Sequence, residues 1–331
     1  MNGEENKYKL VKYLKKVEDK IEILLQRNSY IEKNKFLIAF RGEAKDYGKT
    51  KLMPSLFRDN TYVAKEKYLF DLLCDYGVIP KEKSGNIEKA IEAQHYVAIS
   101  RMLDITFNIL PAMYFACISE ENREFDGKIY IFCFPEHYSP NSEYIEVFYS
   151  NILKGKNLAY SKNFKVVSHS YSNERIKAQS GGFIFFQGRE FSPISEIYYE
   201  VVNIEKEDKK HILEDLELLF GINDATLFPE KDRVAKLVGE KFKYECYNDK
   251  QLSIESEIHT YFERMQYEST MYKKKMGQDY DKISFLRKLR KEKGDLISYI
   301  NEHVIDENIK KDDREKWVKY IVDSFKILEL K

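Results

Sequence analysis

Between residues 7 and 33, Leu10, Leu14, Val17, Ile21 and Leu24 recur at spacings of four, three, four and three. That spacing lines them along one face of a helix. The stripe predicts a helix packed on the body of the protein, and leaves open a short coiled-coil contact with a partner. FLIAF at 36–40 is a strand by composition. Residues 61–77 and 86–100 return to helical spacing, with Leu69, Leu72, Leu73 and Tyr76 sharing a face of the first. PAMYFACIS at 111–119 opens on a Pro suited to a helix N-terminus. GKIYIFCF (127–134), EYIEVFY (143–149), GGFIFFQ (181–187) and EIYYEVVNI (196–204) predict strands. Residues 208–221 predict a helix ending at Gly221, and 227–242 a further helix beyond Pro229.

Near residue 245 the strand signal ends. Ile254, Ile258, Tyr261 and Met265, then Ile283, Leu286 and Leu289, then Trp317, Ile321, Phe325 and Leu328 recur at helical period. The pattern therefore predicts an N-terminal helix (1–35), an α+β domain (36–244) and a C-terminal all-helical region (245–331). The expected sheet is central, mixed or antiparallel, with flanking helices.

The chain has 331 residues, of which 43% are hydrophobic, so it can bury a core. Its 55 Lys and Arg balance 55 Asp and Glu, which argues against a uniformly basic nucleic-acid binder and leaves room for a local basic patch. Cys74, Cys117, Cys133 and Cys246 form no CxxC pair, so a reduced, cytoplasmic location is the default. No His or Cys pair has ligand spacing, and no metal is expected. The first residues, MNGEENKYKLVKYLKK, lack the apolar stretch of a signal peptide. No apolar run approaches membrane-spanning length.

Three polar clusters stand at the ends of apolar segments. Arg41 and Gly42 close the first strand: a guanidinium fork matches phosphate or carboxylate, and glycine permits close backbone approach. The structural alternative is an Arg paired with a core carboxylate. The second cluster, within 92–116, holds Gln94, His95, Tyr96, Arg101, Asp104 and Thr106 among Ile, Met, Leu and Phe. Polar groups this dense predict a partly buried network whose partner is a ligand or another side chain. Arg101 paired with Asp104, and His95 as a satisfied core residue, are the plainer alternatives. In the third, Gln179 precedes a Gly-Gly break and a strand, with Arg175 four residues earlier. No GxGxxG, P-loop or trustworthy Ser/His/Asp order is present.

Residues 264–293 carry Arg264, Lys273, Lys274, Lys275, Lys282, Arg287, Lys288, Arg290, Lys291 and Lys293 against Glu268, Asp279, Asp281 and Glu292, with Tyr267, Tyr272, Tyr280 and Phe285 interleaved. Lys273, Lys274, Lys275, Arg287 and Arg290 are the nucleic-acid candidates. A solvated helix pair with outward charges is the alternative.

FRG at 40–42, PSLFR at 54–58, QHY at 94–96, RMLDIT at 101–106, AMYFA at 112–116, GKIYIF at 127–132, RIKAQSGGF at 175–183 and LFPEKDRVAKLV at 227–238 occur in order. Together they resemble the FRG domain family of bacteria and phages, over roughly 36–240. An aromatic–Arg–Gly at the end of a first core strand is also similar to the NAD-binding strand of arginine-type mono-ADP-ribosyltransferases. That resemblance implies NAD as a substrate, with no metal, and a protein or nucleic-acid acceptor. It implies a role in phage defence or a toxin system. Arg41, Gly42, Ser55, Tyr96, Arg101 and Thr106 would then bind the cofactor. Gln179 would hold a ribose hydroxyl, Asp104 or Glu190 would supply negative charge, and His95 would deprotonate the acceptor. Two readings compete: a non-catalytic sensor of a phosphate-bearing ligand or phage protein, and a nucleic-acid-modifying enzyme. The terminal helices leave an oligomer or partner contact open.

Overall fold

The computed structural model describes residues 8–29, 36–79, 85–97, 99–154, 160, 163–168, 174–230, 253–306 and 311–330. The chain divides into two compact units, residues 1–244 and 245–331.

The first unit is built on one six-stranded sheet, with β1 (Leu37–Glu43), β2 (Met102–Thr106), β3 (Gly127–Phe134), β4 (Lys165–Val167), β5 (Gly181–Phe185) and β6 (Tyr199–Ile204) in the order β4-β5-β2-β1-β3-β6. Every pairing is antiparallel. Strand alternation separates two faces. On one, Phe40, Ile129, Ile131, Cys133 and Val202 pack under α1 (Lys9–Arg27), α4 (Ile109–Cys117) and α7 (Lys209–Phe220). Phe40 stands opposite Thr106, so Met102, Phe183 and Phe185 continue that face. There they meet α3 (Asn86–Val97) and α5 (Glu143–Leu153). The other face is covered by loops: Ala39, Leu103, Ile105, Tyr130, Phe132 and Phe134 lie against Leu52, Leu56, Phe57, Phe186 and Ile194. The remaining helices of the unit are α2 (Asn60–Asp75), α6 (Glu174–Gln179) and α8 (Asp224–Leu227).

The stripe on α1 is spent within its own unit. Leu10, Tyr13, Val17 and Leu24 are buried. Asp215 accepts from the Leu10 amide at 3.0 Å. Asp208 accepts from Tyr13 Oη at 2.8 Å and from Lys12 Nζ at 3.0 Å. Asp215 thus satisfies one exposed amide at the start of the helix, and Asp208 holds side chains of its N-terminal turns. At the other end of the sequence pattern, α7 stops where expected, with Gly221 in the left-handed region at φ 64°.

One predicted strand is a helix. Residues 143–149 are rich in aromatic and β-branched residues, yet they open α5. Ile145 and Tyr149, one turn apart, are buried, and Phe148 and Ile152 join them. Glu146 on the same helix accepts from the amides of Asn86 and Ile87 at 2.8 and 3.1 Å, capping α3. Burial on one stripe, not alternation, is what the neighbours demand here. β1 runs three residues past the predicted 36–40. β6 starts late because a 3-10 turn takes Glu196–Tyr198. The helix predicted within 227–242 lies outside the described residues from 231 onward.

The second unit is α9 (Ile254–Met276), α10 (Lys282–Asp306) and α11 (Lys311–Leu330) around Ile258, Phe262, Met265, Phe285, Leu289, Ile300, Ile321, Phe325 and Leu328. Among the described residues, no helix of either unit is long and apolar enough to cross a membrane.

Gly42 sets how closely α4 approaches β1. A Cβ there would lie 1.9 Å from Ala112 O and 2.7 Å from Ala116 N. Both obstacles are backbone, so nothing yields cheaply. Gly42→Ala is expected to destabilise the first unit by about 3 kcal/mol, read as a lowered denaturation midpoint. Gly294→Ala, in open space within α10, is expected to stabilise by about 0.5–1 kcal/mol. Equal effects from the two would remove the close-approach argument.

Candidate functional site

The ladder between β1 and β2 consists of the single opposed pair Phe40 and Thr106. Past it the strands are joined by a side chain. Arg41 points to the loop-covered face, opposite Phe40, and reaches into the gap. Its Nη1 donates to the Asp104 backbone oxygen at 2.8 Å. Its Nε donates to Glu43 Oε1 at 3.1 Å. Glu43 is buried and also accepts from the Leu52 amide at 3.4 Å. Arg41 is thus a strut across a break in the sheet.

On the helical face, the Asp104 side chain opens into a pocket. Its walls are Ile91 and Gln94 from α3, Arg175, Ile176 and Gln179 from α6, and Phe183 from β5. The volume is about 60 Å³, room for a few waters at about 10–15 Å³ each or one small head group. Gln94 Nε2 donates to Asp104 Oδ1, and Gln94 Oε1 is buried with no partner among the described residues. Gln179 spends its Nε2 on Leu227 O at 3.0 Å. Arg175 lies over the Phe228 ring, 4.5 Å from its centroid, and 3.9 Å from Glu230 Oε1. The Asp104 carboxylate reaches the pocket lumen, but protein rings its base. Asp104 is the exposed residue of β2, yet the surrounding protein desolvates its carboxylate and raises its pKa, opposed by the charge of Arg41, the Gln94 hydrogen bond and the charge of Arg175.

The structure brings Asp104 and Gln179 together and disperses the other candidates. Arg41 does not line the pocket. Gly42 makes room for α4, not for a ligand. Ser55 Oγ accepts from the Ser100 amide at 3.0 Å, and Leu56 N donates to Ser100 O at 3.0 Å, so Ser55 pins a loop to the start of β2. Thr106 Oγ1 donates to Gln179 O at 2.7 Å, fixing the end of α6 and hence the pocket wall. Arg101 does not pair with Asp104 and is not a ligand group. It is 2% exposed and held by Glu66 through Nε at 2.8 and 3.0 Å and through Nη2. Its Nη1 donates to Phe186 O at 2.8 Å. Tyr149 Oη donates to the same Glu66 at 3.2 Å. His95 and Tyr96 lie in α3, with side chains outside the described residues. Ile91, Ile176 and Phe183, the apolar walls, were not among the sequence candidates. The stripe Ile87, Ala90, Ile91, Gln94 on α3 would have pointed to Gln94 as the polar end of a buried face. Among the described residues, no three His, Cys, Asp or Glu gather as a metal-holding group.

In the second unit, Lys273 turns inward, 5.4 Å from the Tyr280 ring centroid and 5.7 Å from that of Phe285. Lys274, Lys275, Arg287 and Arg290 are exposed.

A two-layer antiparallel α+β unit with a polar pocket at a split in its sheet is the class this geometry defines. The FRG domain model matches residues 37–125, so the chain carries an FRG domain. That match takes in Arg41, Gln94 and Asp104, whereas Arg175, Gln179 and Phe183 lie beyond it. No curated protein and no solved structure matches the chain.

Two outcomes follow from the charges. Removing one member of the buried pair leaves a bare charge, so Arg101→Met is expected to cost about 3–5 kcal/mol. Adding Glu66→Leu should recover a large part of that, measured by chemical denaturation; strictly additive losses would refute the pairing. For Asp104 the folded pKa is raised, so the native state holds its proton longer than the unfolded chain. Wild-type stability therefore falls as pH rises from the unfolded carboxyl value through the raised one. Asp104→Asn does not titrate. It is expected to melt above wild type at pH 7, with the gap closing as pH drops below the carboxylate range. A gap that widens in acid reverses the sign and refutes the burial argument.

Proposed function

We propose that the Asp104 pocket is the working site of the FRG domain and that it takes the ribosyl part of a nucleotide, with NAD the first candidate. One observation carries the reading: three side-chain oxygens that meet at the pocket have no donor among the described residues. Gln94 and Gln179 have spent amide hydrogens on Asp104 and Leu227 O. Asp104 Oδ2, Gln94 Oε1 and Gln179 Oε1 accept nothing among the described residues. A group that completes them must bring donors. Vicinal ribose hydroxyls do so; phosphate oxygens do not. A phosphate would instead sit at the rim by Arg175.

The chemistry that suits this set is cleavage of an N-glycosidic bond. The bonding pair leaves with the nicotinamide nitrogen, the ribose carbon becomes cationic, and water or an acceptor hydroxyl or amine adds and gives up a proton. A carboxylate held at the pocket gains from positive charge that appears only in the transition state. The activity would be that of an ADP-ribosyltransferase or NAD glycohydrolase. The role of an effector in phage defence or a toxin system rests on that turnover.

A second reading, a binding module without turnover, is favoured by the volume. About 60 Å³ is far below the roughly 300–1,000 Å³ of sites that engulf a drug-sized ligand.

Incubation of the full chain with NAD, with and without protein and nucleic-acid acceptors, is expected to release nicotinamide, and Asp104→Asn to reduce the rate by about 10²-fold or more. Saturable NAD binding by calorimetry without nicotinamide release selects the binding module. No binding, or turnover unchanged in a folded Asp104→Asn, overturns the site.

A further inference from the structure

The α9–α10 corner of the helical unit collects charge that its own residues do not neutralise. From Arg264 to Lys293 there are ten Lys or Arg against four acids. Three of the acids are engaged locally. Glu268 pairs with Arg264 at 3.2 Å. Asp281 caps α10, accepting from the Ile283 amide at 2.9 Å and from Ser284 Oγ at 2.6 Å. Glu292 accepts from Tyr261 Oη at 2.6 Å. The Asp279 side chain lies outside the described residues. Lys274, Lys275, Arg287, Lys288, Arg290 and Lys291 are exposed and form no ion pair among the described residues.

A pocket opens within this field. It measures about 120 Å³ and is lined by Glu268, Ser269, Tyr272, Ser284, Phe285 and Lys288. Ser269 is 7% exposed, and its Oγ has no hydrogen-bond partner among the described residues. A buried hydroxyl facing a cavity without a partner is uncommon in a protein interior. The rings of Tyr272 and Phe285 stack at 12°, with centroids 5.6 Å apart. Tyr267 and Tyr272 both present aromatic surface to solvent on α9.

We propose that this corner binds single-stranded nucleic acid. A base enters the pocket against Tyr272, with the Ser269 hydroxyl at its polar edge, and the flanking phosphates lie on Lys275 and Lys288. Lys274, Arg287 and Lys291 extend the phosphate track, and Tyr267 offers a second stacking surface. An aromatic surface beside a row of cations is the combination that binds unpaired strands, because every base has a face to stack and every link a charge. A duplex would keep its bases stacked inside and leave the pocket empty. The zero net charge of the chain makes the effect local: binding should depend on this corner and not on overall attraction.

The test is fluorescence anisotropy of the full chain with labelled single strands of RNA and DNA, each about 12 nucleotides long. With about four phosphates neutralised, affinity should fall ~50-fold between about 50 and 200 mM salt. Lys275→Ala with Lys288→Ala should weaken binding at least tenfold and flatten the salt slope. Tyr267→Ala should weaken it severalfold with the slope unchanged, and Ser269→Ala should fold normally and alter preference among bases. No binding at low salt overturns the proposal, as does a salt-independent affinity. So does a duplex bound as tightly as a single strand. Anionic vesicles that are held through Lys275 and Lys288 while oligonucleotides are not assign the face to a membrane and also overturn it. The pocket of the first unit plays no part in this measurement, so Asp104→Asn should bind strands as wild type does.

Discussion

A guanidinium stands where a sheet would ordinarily place backbone hydrogen bonds. β1 and β2 are neighbours in the strand order, yet they are opposed only at Phe40 and Thr106, and Arg41 completes the connection through the Asp104 carbonyl. The neighbouring strand pairs hold full ladders, so the split is confined to one place. Opening a sheet leaves polar backbone that must be satisfied. Arg41 does that from one face while Glu43 fixes its other end. The consequence appears on the opposite face, where the Asp104 side chain is held at the break with helices on either side of it. The strut and the pocket are thus one device, seen from two faces of the sheet.

The polar residues of the first unit divide by whether their valences are filled. Arg101 is surrounded by Glu66, two carbonyls and the rings of Phe57 and Phe185. It ties α2 to β2 and to the loop after β5, and through Glu66 it reaches Tyr149 on α5. Lys209 is buried likewise, donating to Ala44 O at 2.7 Å and Asn122 O at 3.0 Å. Such groups are expensive to bury and serve to specify the packing around them. Asp104 and Gln94 differ because they keep acceptors open. A half-filled network is costly for a structure that nothing binds, and here it lies next to the split that Arg41 spans.

The sequence made the layers legible more readily than the site. The α1, α7 and second-unit helices show because a single buried stripe repeats at helical period. β3 shows because its apolar run is rich in β-branched and aromatic residues and follows Gly127. β2 was hidden: five residues with a charge at their centre do not look like a core strand. α5 does not follow its composition: Tyr144, Ile145, Val147, Phe148 and Tyr149 are strand formers, while the three-residue spacing of Glu143 and Glu146 and the burial of Ile145 with Tyr149 belong to a helix. For the site, the density of polar residues in 92–106 was a true signal, and it delivered Asp104 and its neighbour Gln94. It could not rank its members. Whether an arginine is spent or available depends on its partner, and Glu66 sits 35 residues before Arg101 on another helix. The tripeptide that identifies the domain therefore points to the strut, while the open groups lie one strand away.

Protonation gives the pocket its polarity. With Asp104 ionised, its oxygens and those of the two amides make a ring of acceptors, complementary to hydroxyls. With Asp104 protonated, one oxygen becomes a donor. Gln94 must then turn its amide to accept, which would satisfy the oxygen now left without a partner. Burial pushes toward that neutral state, and Arg41 and Arg175 push away from it. Since Arg41 acts through the sheet and not through the pocket, the strut that positions Asp104 also opposes the desolvation that raises its pKa. A change at Arg41 would accordingly alter both the placement of the carboxylate and its charge. The coupling runs through the Asp104 backbone, which Arg41 holds from the face opposite the pocket.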